Sequence, residues 1–536
     1  MYCPNCGTLN DSGDLFCQQC GNPISADEPI VERPHYAQPQ QAQPNMARPA
    51  HTQDPTKINL NPEAISSRTF LARHKVSLTI AVTTVLLIAV LSQILVSENT
   101  DYLSPSVETV QTSPGLTNPS TSIVPPIIQY CDGGGDLCGM QGTTPLVELS
   151  AEFKDGLNSF WVAKGNAALE DYSYAAESYD SVMLIAFPTV AAGTDGSALA
   201  DQIVAVSKDG KKCTTAETCL ALLKDKKDID YDGISGPVTL NGNGEPLQAS
   251  YGILEFDAGN RLINPVANFV TAAAPASAVK PLATTDVARK GNGVLKIGSL
   301  LPESGSLAFL GTPMYAGTEY AIDQINKAGG VLGKPIEYVS GDSGDTSTDT
   351  ASTTVDRLLG ERVDAIVGAA SSSVSLTVID KITAAGVIQM SPSNTSLKLS
   401  NYPDKGLYFR VAPRDDLQGS VLAELIAQDG NASAYILALD DAYGTSLADT
   451  VEEVLIASGV KVLGKKIYDP AATTFDAEVG EIVAANPDAI VLITFDEGSR
   501  ILRAMVEQGI GPKAKKVYGV DGNMVNALGE NFDNGR

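Results

Sequence analysis

Residues 293–343 read GVLKIGSLLPESGSLAFLGTPMYAGTEYAIDQINKAGGVLGKPIEYVSGDS, and this stretch decides the fold of the larger part of the chain. It opens with a short apolar run, VLKIGSLL, that is typical of a buried strand, and continues into MYAGTEYAIDQINKAGG, which has a helical period. The apolar runs AIVGA, AYILAL and AIVLITF follow downstream, again alternating with helical stretches. This alternation predicts an α/β fold in which helices cover both faces of parallel sheets.

Further motifs in residues 293–536 carry a resemblance to a known family. After the opening run come INKAGGVLGKPIEYVSGDSGD, VDAIVGAASSSVSL, GVIQMSPSNTS, YFRVAPRDDLQG and DDAYGTSLAD. Together these motifs resemble the beginning of Leu/Ile/Val-binding-type solute receptors, which have the type I periplasmic-binding fold. The resemblance implies two Rossmann-like lobes that hold a small ligand in a cleft and close over it by hinge bending.

The segment that resembles the end of the same receptor domain lies upstream, within residues 131–269. It contains YSYAAESYDSVMLIAF and GPVTLNGNGEPLQASYGILEFDAGN. In the family, a stretch like YGVDGNMVNALGENFDNGR is followed directly by a segment like GMQGTTPLVELSAEFKDGL. Here the first stretch is the last of the sequence, and the second begins far upstream, at Gly139. The resemblance therefore implies a circularly permuted receptor domain, whose portions 131–269 and 293–536 are joined by a linker at 270–292.

A permutation of this kind is physically tolerable because the termini of compact domains lie on the surface and are often close together. Two alternatives stay open. Each portion could pair with the complementary portion of a neighbouring molecule in a domain swap, or the gene could be truncated.

Four cysteines near the N-terminus form two CxxC pairs, CPNCG and CQQCG, with ten residues between the pairs. Four thiolates at this spacing suit a tetrahedral zinc ion. The sequence therefore predicts a structural zinc ribbon over residues 1–24, with the ligands Cys3, Cys6, Cys17 and Cys20.

Residues 76–96 read VSLTIAVTTVLLIAVLSQILV and contain no charge over 21 positions, where about 20 are needed to span a bilayer. We expect a transmembrane anchor over 68–97, and not a cleaved signal peptide, because 75 residues precede the apolar run. Lys and Arg residues precede the run, and none follows it before Lys154. By the positive-inside rule, the N-terminus of this single-pass protein faces the cytoplasm and the large domain lies outside the cell.

The segments on either side of this anchor have the composition of disordered tethers. Residues 25–67 are rich in Pro and Gln, residues 98–130 form a Ser/Thr/Pro stalk, and neither has enough apolar residues for a core. Beyond the stalk, two close cysteine pairs lie in polar loops, Cys131 with Cys138 and Cys213 with Cys219. We expect both to form local disulfides, as an oxidising exterior permits.

Composition argues against several classes of function. The net charge of -26 disfavours a nucleic-acid partner, because phosphate binding needs clustered Lys and Arg. All three histidines precede or abut the apolar run, so the large C-terminal region can hold neither a Ser-His-Asp triad nor a His-ligated zinc site. No GxxxxGK[ST] or GxGxxG phosphate loop is present. The sequence therefore predicts a binding protein and not an enzyme.

Candidate ligand-binding residues follow the predicted strands, at the end where open α/β sheets bind ligands. The loop GAASSS places Ser371, Ser372 and Ser373 just before a helix. The free N–H groups and the dipole at a helix N-terminus favour a carboxylate, whatever the family. Carried over by position, the resemblance implies that Thr395 is a second carboxylate-binding hydroxyl. As alternatives, the serines could merely cap the helix and Thr395 could be a turn residue.

For the second lobe, the resemblance implies an acidic residue and two aromatic residues at the cleft. Asp521 takes the position at which amino-acid-binding members pair with the ligand's ammonium group. Tyr443 and Phe495 match aromatic positions at the edge of the cleft, although Phe495 could equally be a core residue. The chain departs from the family at Leu310, where an aromatic residue is frequent, and Asp521 is shorter than the Glu of some members.

These observations predict a membrane-anchored extracellular protein that binds an amino acid or a similar small carboxylate, related to the binding components of ABC importers. It either delivers the solute to an ABC permease or senses it, and the zinc ribbon points to a cytoplasmic protein partner. The alternative is a surface adhesion or assembly protein that uses the receptor fold as a scaffold.

Overall fold

The structure is a computed structural model that describes residues 131, 133–274 and 289–535. The predicted zinc ribbon, tether, anchor and stalk lie outside the described residues. Within the described ranges, no single helix is long and apolar enough to cross a membrane. The helical segments Ala175–Ala192 and Ser197–Ile203 together have the length and apolar composition of a membrane span, but the chain bends by 104° between them.

The described residues form strands and helices that alternate along most of the chain. The strands are β1 (Gln141–Pro145), β2 (Lys211–Cys213), β3 (Ile229–Tyr231), β4 (Gln248–Glu255), β5 (Asn268–Ala273), β6 (Lys296–Leu300), β7 (Glu337–Val339), β8 (Ala365–Gly368), β9 (Ile388–Ser391), β10 (Tyr408–Arg410), β11 (Ser433–Leu439), β12 (Lys461–Tyr468), β13 (Ala489–Ile493) and β14 (Lys516–Gly519). The α-helices are α1 (Ala151–Ala163), α2 (Ala175–Ala192), α3 (Ala200–Ile203), α4 (Ala216–Lys224), α5 (Ala308–Lys327), α6 (Thr350–Gly360), α7 (Ser372–Ala384), α8 (Asp415–Gln428), α9 (Ala442–Ala457), α10 (Asp476–Ala485), α11 (Gly498–Glu507) and α12 (Asn526–Asp533).

The strands build two lobes, each around its own large sheet. The first lobe has a parallel five-stranded sheet in the order β10-β9-β8-β6-β7. The second lobe has a seven-stranded sheet in the order β12-β11-β13-β14-β1-β4-β5, which is parallel from β12 to β1 and antiparallel at β4 and β5. The apolar runs of the sequence form the central strands β6, β8, β11 and β13. The predicted α/β fold with parallel sheets is confirmed.

The upstream portion of the domain contributes to both lobes. In the second lobe, β1 lies beside β14 with parallel pairing, so that Gln141 faces Tyr518 and Gly142 faces Gly519. In the first lobe, α2 packs along α5, and the two helices approach closely where Gly317 meets the carbonyl group of Ala175. The upstream and downstream portions thus pair within one chain in this structure.

Three described connections run between the lobes, in addition to the predicted linker. They are residues 146–150, 232–247 and 411–414, which lead from β1 to α1, from β3 to β4 and from β10 to α8. The linker joins β5 to β6. Strand β5 continues to Ala273, into the stretch predicted as linker, because it pairs with β4 along its whole length.

A buried ion pair fixes the second connection to the strand that leads into the third. Arg410, at the end of β10, has a fully buried side chain, and its Nε donates to Oε2 of Glu245 in the second connection at 3.2 Å. Arg410 also donates to the hydroxyl of Ser400 at 2.7 Å and to the carbonyl of Ser396 at 2.9 Å. These bonds satisfy the guanidinium group in a site without water access, as a buried charge requires.

Both predicted disulfides are confirmed. Cys131 is bonded to Cys138 and Cys213 to Cys219, with Cα atoms 5.6 Å and 5.4 Å apart. The first disulfide closes the loop before β1, and the second connects the end of β2 to helix α4.

Candidate functional site

A cavity lies between the two lobes, and loops that follow the parallel strands of both lobes supply most of its lining. Such loops converge at the carboxyl edge of a sheet, which explains why residues far apart in sequence meet here. The lining residues are Tyr174, Leu307, Leu310, Ala370, Ser371, Ser372, Ser393, Tyr443, Phe495, Asp521 and Gly522. The cavity has a volume of about 20 Å³, where a water molecule needs roughly 10–15 Å³. A larger molecule therefore requires the lobes or their side chains to move apart.

Asp521, just after β14, is the charged group of this cavity and is only 6% exposed. Tyr174 donates its hydroxyl to one carboxylate oxygen at 2.6 Å, and Tyr443 donates to the other at 2.7 Å. Desolvation by burial raises the pKa of Asp521, although the hydroxyls of Tyr174 and Tyr443 and the side chain of Gln418 act in the opposite direction. No Lys or Arg among the described residues forms an ion pair with it. A buried carboxylate without a counter-ion suits a cationic group of a ligand.

An aromatic stack holds Tyr443 against this carboxylate. The rings of Tyr443 and Phe495 are parallel within 10°, with centroids 5.4 Å apart. The backbone N–H of Gly522 donates to the Tyr443 hydroxyl at 3.3 Å. A Cβ atom at Gly522 would lie 2.7 Å from the carbonyl oxygen of Thr494 and 3.0 Å from the Tyr443 hydroxyl, so only glycine allows the loop to pass this close. The stack and the loop together fix the direction of the Tyr443 hydroxyl.

Ser371 and Ser372 line the first-lobe side of the cavity, at the N-terminus of α7. The Ser371 hydroxyl accepts from the backbone N–H of Val374 at 3.3 Å and therefore caps the helix. The Ser372 hydroxyl accepts from the N–H of Ser396 at 3.4 Å. The helix dipole creates a positive potential at this wall, opposite in sign to an ionised Asp521.

Ser373 and Thr395, which were also predicted to contact ligand, are not among the lining residues. The Ser373 hydroxyl accepts from the N–H of Ala442 at 2.7 Å and donates to the carboxylate of Asp441 at 3.2 Å, both at the N-terminus of α9 in the second lobe. Thr395 is buried, and its carbonyl accepts from the N–H of Asp415 at 2.9 Å. One serine thus connects the two lobes, and the threonine positions the start of α8.

A second carboxylate lies near Asp521. Asp415, the first residue of α8, is fully buried. Desolvation by burial raises its pKa to about 7; the hydroxyls of Ser446 and Thr395 oppose this shift, and the charge of Asp521 adds to it. The two carboxyl groups therefore lie close enough for the charge of one to favour the protonated form of the other.

Tyr174 lines the cavity and bonds to Asp521, but the sequence did not predict it as a site residue. It precedes α2 in the upstream portion and has a φ of +57°, which is uncommon for a residue with a side chain. Its partner Asp521 lies 347 positions later in the chain. The only local signal is an aromatic residue next to an apolar helix, and such a residue is more often part of the core.

The apolar side of the cavity is formed by Leu307 and Leu310, which are 6% and 3% exposed. No group of three or more His, Cys, Asp or Glu side chains in the described part of the chain is arranged to hold a metal ion. The four predicted zinc ligands lie outside that part.

Comparison with known families gives two matches in separate parts of the chain. Residues 294–535 match the family described as periplasmic binding protein, and residues 2–24 match the zinc-ribbon domain. The α/β fold of the periplasmic-binding type is thereby confirmed for the downstream portion, and the N-terminal zinc ribbon is confirmed as a family match.

Individual relatives match over less than half of the chain. The chain is 28% identical over 217 residues to the Leu/Ile/Val-binding protein BraC3 of Rhizobium johnstonii, which covers 40% of this chain and 56% of that protein. It is 30% identical over 205 residues to the chemotactic signal transduction system substrate-binding protein BasB of Halobacterium salinarum, covering 37% and 49%. The crystal structure of LivJ from Streptococcus pneumoniae in complex with isoleucine is 28% identical, covers 43% of this chain and 64% of that chain, and gives a TM-score of 0.38. The chain thus spans about half the length of the curated relatives it matches.

Proposed function

We propose that the described domain binds an amino acid, or a similar small molecule with an ammonium and a carboxylate group, in the cleft between its lobes. The observation that carries this proposal is the buried carboxylate of Asp521, which two tyrosine hydroxyls hold in the cavity without a counter-ion among the described residues. The ligand would be bound and released without chemical change.

The two walls of the cavity suit the two charges of an amino acid. An ammonium group at Asp521 would supply the missing counter-charge, and a carboxylate at Ser371 and Ser372 would meet the N–H groups of α7. Leu307, Leu310 and the ring stack offer apolar surface to an aliphatic side chain. The names of the relatives support this substrate class, since BraC3 is a Leu/Ile/Val-binding protein.

The raised pKa of Asp521 gives this proposal a proton linkage. An ammonium group favours the ionised carboxylate, so binding lowers the pKa of Asp521. At any pH at which Asp521 of the unbound protein is protonated, binding therefore releases a proton. Affinity should therefore fall as the pH drops through the raised pKa of the unbound protein.

Titration calorimetry against the common amino acids tests the proposal. We expect heat of binding with at least one aliphatic amino acid for the unchanged protein. Asp521→Asn keeps the shape of the side chain and removes its charge, so affinity should fall by about 2–5 kcal/mol, or roughly 30-fold or more. The matched control is Asp449→Asn, because Asp449 is 72% exposed on α9 and forms a surface ion pair with Lys465. This control should bind like the unchanged protein.

Two results would contradict the proposal. If no common amino acid gives heat or a melting shift, the amino-acid version fails. If binding persists unchanged in Asp521→Asn, the ligand does not use the cleft as described, and the adhesion or assembly alternative gains support.

The order of the two portions supports a circular permutation of the receptor domain, with junctions near the linker at 270–292 and before residue 139. The family match begins at residue 294 and covers only the downstream portion. The pairing of β1 with β14 and the packing of α2 on α5 supply the complementary parts of both lobes from upstream.

We also propose that residues 68–97 anchor this domain outside the cell membrane, with the zinc ribbon in the cytoplasm. The support is the uncharged run of 21 residues and the Lys and Arg that precede it. In this arrangement, Cys3, Cys6, Cys17 and Cys20 hold zinc, and the ribbon is free to contact a cytoplasmic protein. The receptor either delivers its ligand to an ABC permease or reports its presence across the membrane.

A further inference from the structure

A second cavity lies at the hinge and shares no lining residue with the cleft. Its volume is about 20 Å³. The lining combines apolar side chains, a few polar groups and one carboxyl group: Pro145, Leu146, Glu177, Ser235, Pro237, Val238, Pro246, Gln248, Ala249, Ser250, Val411 and Pro413. We call this cavity the hinge pocket.

All three described connections between the lobes contribute to the walls of the hinge pocket. Leu146 belongs to the first, Ser235 to the second and Val411 to the third. Hinge bending concentrates its backbone changes in such connections. A molecule in this pocket would therefore contact the segments that must move when the lobes open.

Glu177, in the first turn of α2, is the carboxyl group of the pocket. It is 8% exposed, and among the described residues no other residue donates a hydrogen bond to its carboxyl oxygens or forms an ion pair with them, although the Ser181 hydroxyl donates to its backbone carbonyl at 2.7 Å. Desolvation by burial raises its pKa to about 8; its own backbone N–H opposes the shift, and the nearby charge of Asp180 adds to it.

The neighbouring Asp180 shows how a buried carboxylate in this region is normally satisfied. It accepts from the Tyr231 hydroxyl at 2.6 Å, from the N–H of Ile234 at 3.1 Å, and from the N–H and hydroxyl of Ser235 at 2.8 Å and 2.6 Å. Glu177 has no such set of donors, although it lies on the same helix. Because Glu177 lines the hinge pocket, its carboxyl oxygens are open to a donor from water or from a molecule in the pocket.

We propose that the hinge pocket binds a small alkylammonium ion, with Glu177 as its counter-ion. The ammonium group would pair with the ionised carboxylate, and its alkyl part would contact the proline and valine side chains of the walls. The small volume restricts the ion to a few heavy atoms. Uncharged molecules and anions would leave the negative charge of the ionised Glu177 carboxylate without a counter-charge.

The first turn of α2 couples this pocket to the cleft. Tyr174, at the N-cap of α2, donates to Asp521 in the cleft, and Glu177 lies three positions later in the same turn. Occupancy of the hinge pocket should therefore change the affinity of the cleft for its ligand. This coupling rests on the function proposed above, whereas binding in the hinge pocket does not.

Thermal unfolding of the full chain, followed by the fluorescence of its single tryptophan, Trp161, tests the hinge pocket. Methylammonium chloride is compared with sodium chloride at equal concentration, at about pH 9, where Glu177 is ionised. The unchanged protein should gain about 2–4 °C in Tm from methylammonium well above its Kd. Glu177→Gln should lose this gain, and the surface variant Asp449→Asn should keep it. Asp521→Asn is included to distinguish binding in the cleft from binding in the hinge pocket.

Glu177→Gln and Asp521→Asn together decide where methylammonium binds. The same gain in Glu177→Gln as in the unchanged protein would overturn the proposal, and so would the absence of a gain in the unchanged protein. Loss of the gain in Asp521→Asn alone would assign the ion to the cleft and also overturn it.

For the coupling, amino-acid affinity is measured with and without methylammonium. A change in the unchanged protein that disappears in Glu177→Gln supports the coupling, and equal affinities overturn it. If no amino acid binds at all, the proposed function fails while the result of the Tm comparison still stands.

Discussion

Asp521 and Glu177 present the same electrostatic problem, because each carboxyl group is more than nine-tenths buried and burial raises the pKa of both. Asp521 receives two tyrosine hydroxyls, which leave part of its hydrogen-bonding capacity for a ligand. The carboxyl group of Glu177 receives no donor from another described residue. Both groups therefore lower the stability of the ligand-free protein in their ionised form, and a bound cation would remove that cost.

The pKa shift of Glu177 predicts a specific dependence of stability on pH. In the unfolded chain its pKa is 4.5, and in the folded protein it is about 8. Between these values the folded state holds a proton that the unfolded state has lost, so stability falls as the pH rises through this window and levels off above it. Glu177→Gln should lose this part of the slope and be more stable than the unchanged protein near pH 8.

Urea unfolding at several pH values between 5 and 9, monitored by the fluorescence of Trp161, measures this effect. The matched control is Glu453→Gln, since Glu453 is exposed on α9. Its pH profile should equal that of the unchanged protein. An unchanged slope in Glu177→Gln would show that Glu177 ionises as freely in the folded state as in the unfolded chain.

At the scale of elements, the contact between α2 and α5 brings Tyr174 to the cleft. Gly317 of α5 makes the contact possible, because a Cβ atom there would lie 2.1 Å from the carbonyl oxygen of Ala175. The obstructing atom belongs to the backbone and cannot rotate away. A side chain at this position must therefore displace one helix from the other.

We expect Gly317→Ala to destabilise the domain. Overpacking costs about 1–3 kcal/mol, which exceeds the gain of up to about 1 kcal/mol in helix propensity. Because Tyr174 shifts with α2, ligand affinity should fall as well. Gly480→Ala in α10 is the matched control, since its nearest neighbour would be the Gln508 side chain at 4.0 Å. Urea unfolding should show Gly480→Ala to be at least as stable as the unchanged protein, and equal stability of the two variants would refute the close contact.

The N-termini of α7 and α9 show a second element-scale feature of the cleft. Asp441 caps α9 by accepting from the N–H of Gly444 at 2.6 Å, and Ser373 of α7 bonds to both Asp441 and Ala442. Helix ends from the two lobes therefore satisfy each other's polar groups in the closed form. These bonds must exchange for water when the cleft opens to admit a ligand.

At the scale of the whole molecule, the upstream and downstream portions depend on each other. Strand β1 completes the second sheet between β14 and β4, and α2 covers the first sheet together with α5. Neither lobe has a complete core without residues from both portions. The core of the second lobe contains Phe256 from upstream and Ile490 from downstream, and the core of the first lobe contains Leu184 and Ile297. The covalent linker between them is therefore not what holds the portions together.

This dependence predicts the result of cutting the chain. A protease site inserted between residues 275 and 288 should allow cleavage into two fragments that still elute as one particle in native buffer and separate in urea. Size-exclusion chromatography with light scattering gives the mass. Separation in native buffer would contradict the shared cores, and a particle of twice the expected mass would indicate a domain swap.

Much of the fold could be predicted from local patterns. The runs that became β6, β8, β11 and β13 are apolar because both faces of these strands are covered, and the same cause makes them recognisable in the sequence. Ser371, Ser372, Tyr443, Phe495 and Asp521 were predicted at strand ends and line the cavity. Their roles as ligand contacts are still predictions.

The residues that local patterns could not assign are those whose role depends on distant partners. Ser373 differs from Ser371 and Ser372 only in the direction it takes from the helix, and that direction is decided by the position of α9. Tyr174 and Glu177 have no distinguishing neighbours in sequence. Both matter because the first turn of α2 lies between the cleft and the hinge pocket.

The sequence by itself determined which segments are strands and helices, which cysteines are close enough to pair, and where charge is absent over 21 residues, because these properties depend on neighbours along the chain. Only the tertiary structure decided that Tyr174 meets Asp521, that the carboxyl group of Glu177 is buried without a donor from another described residue, and that three connections contribute to one pocket. Burial and hydrogen bonding depend on contacts between residues hundreds of positions apart, and the periodicity of a sequence carries no information about which of those contacts form.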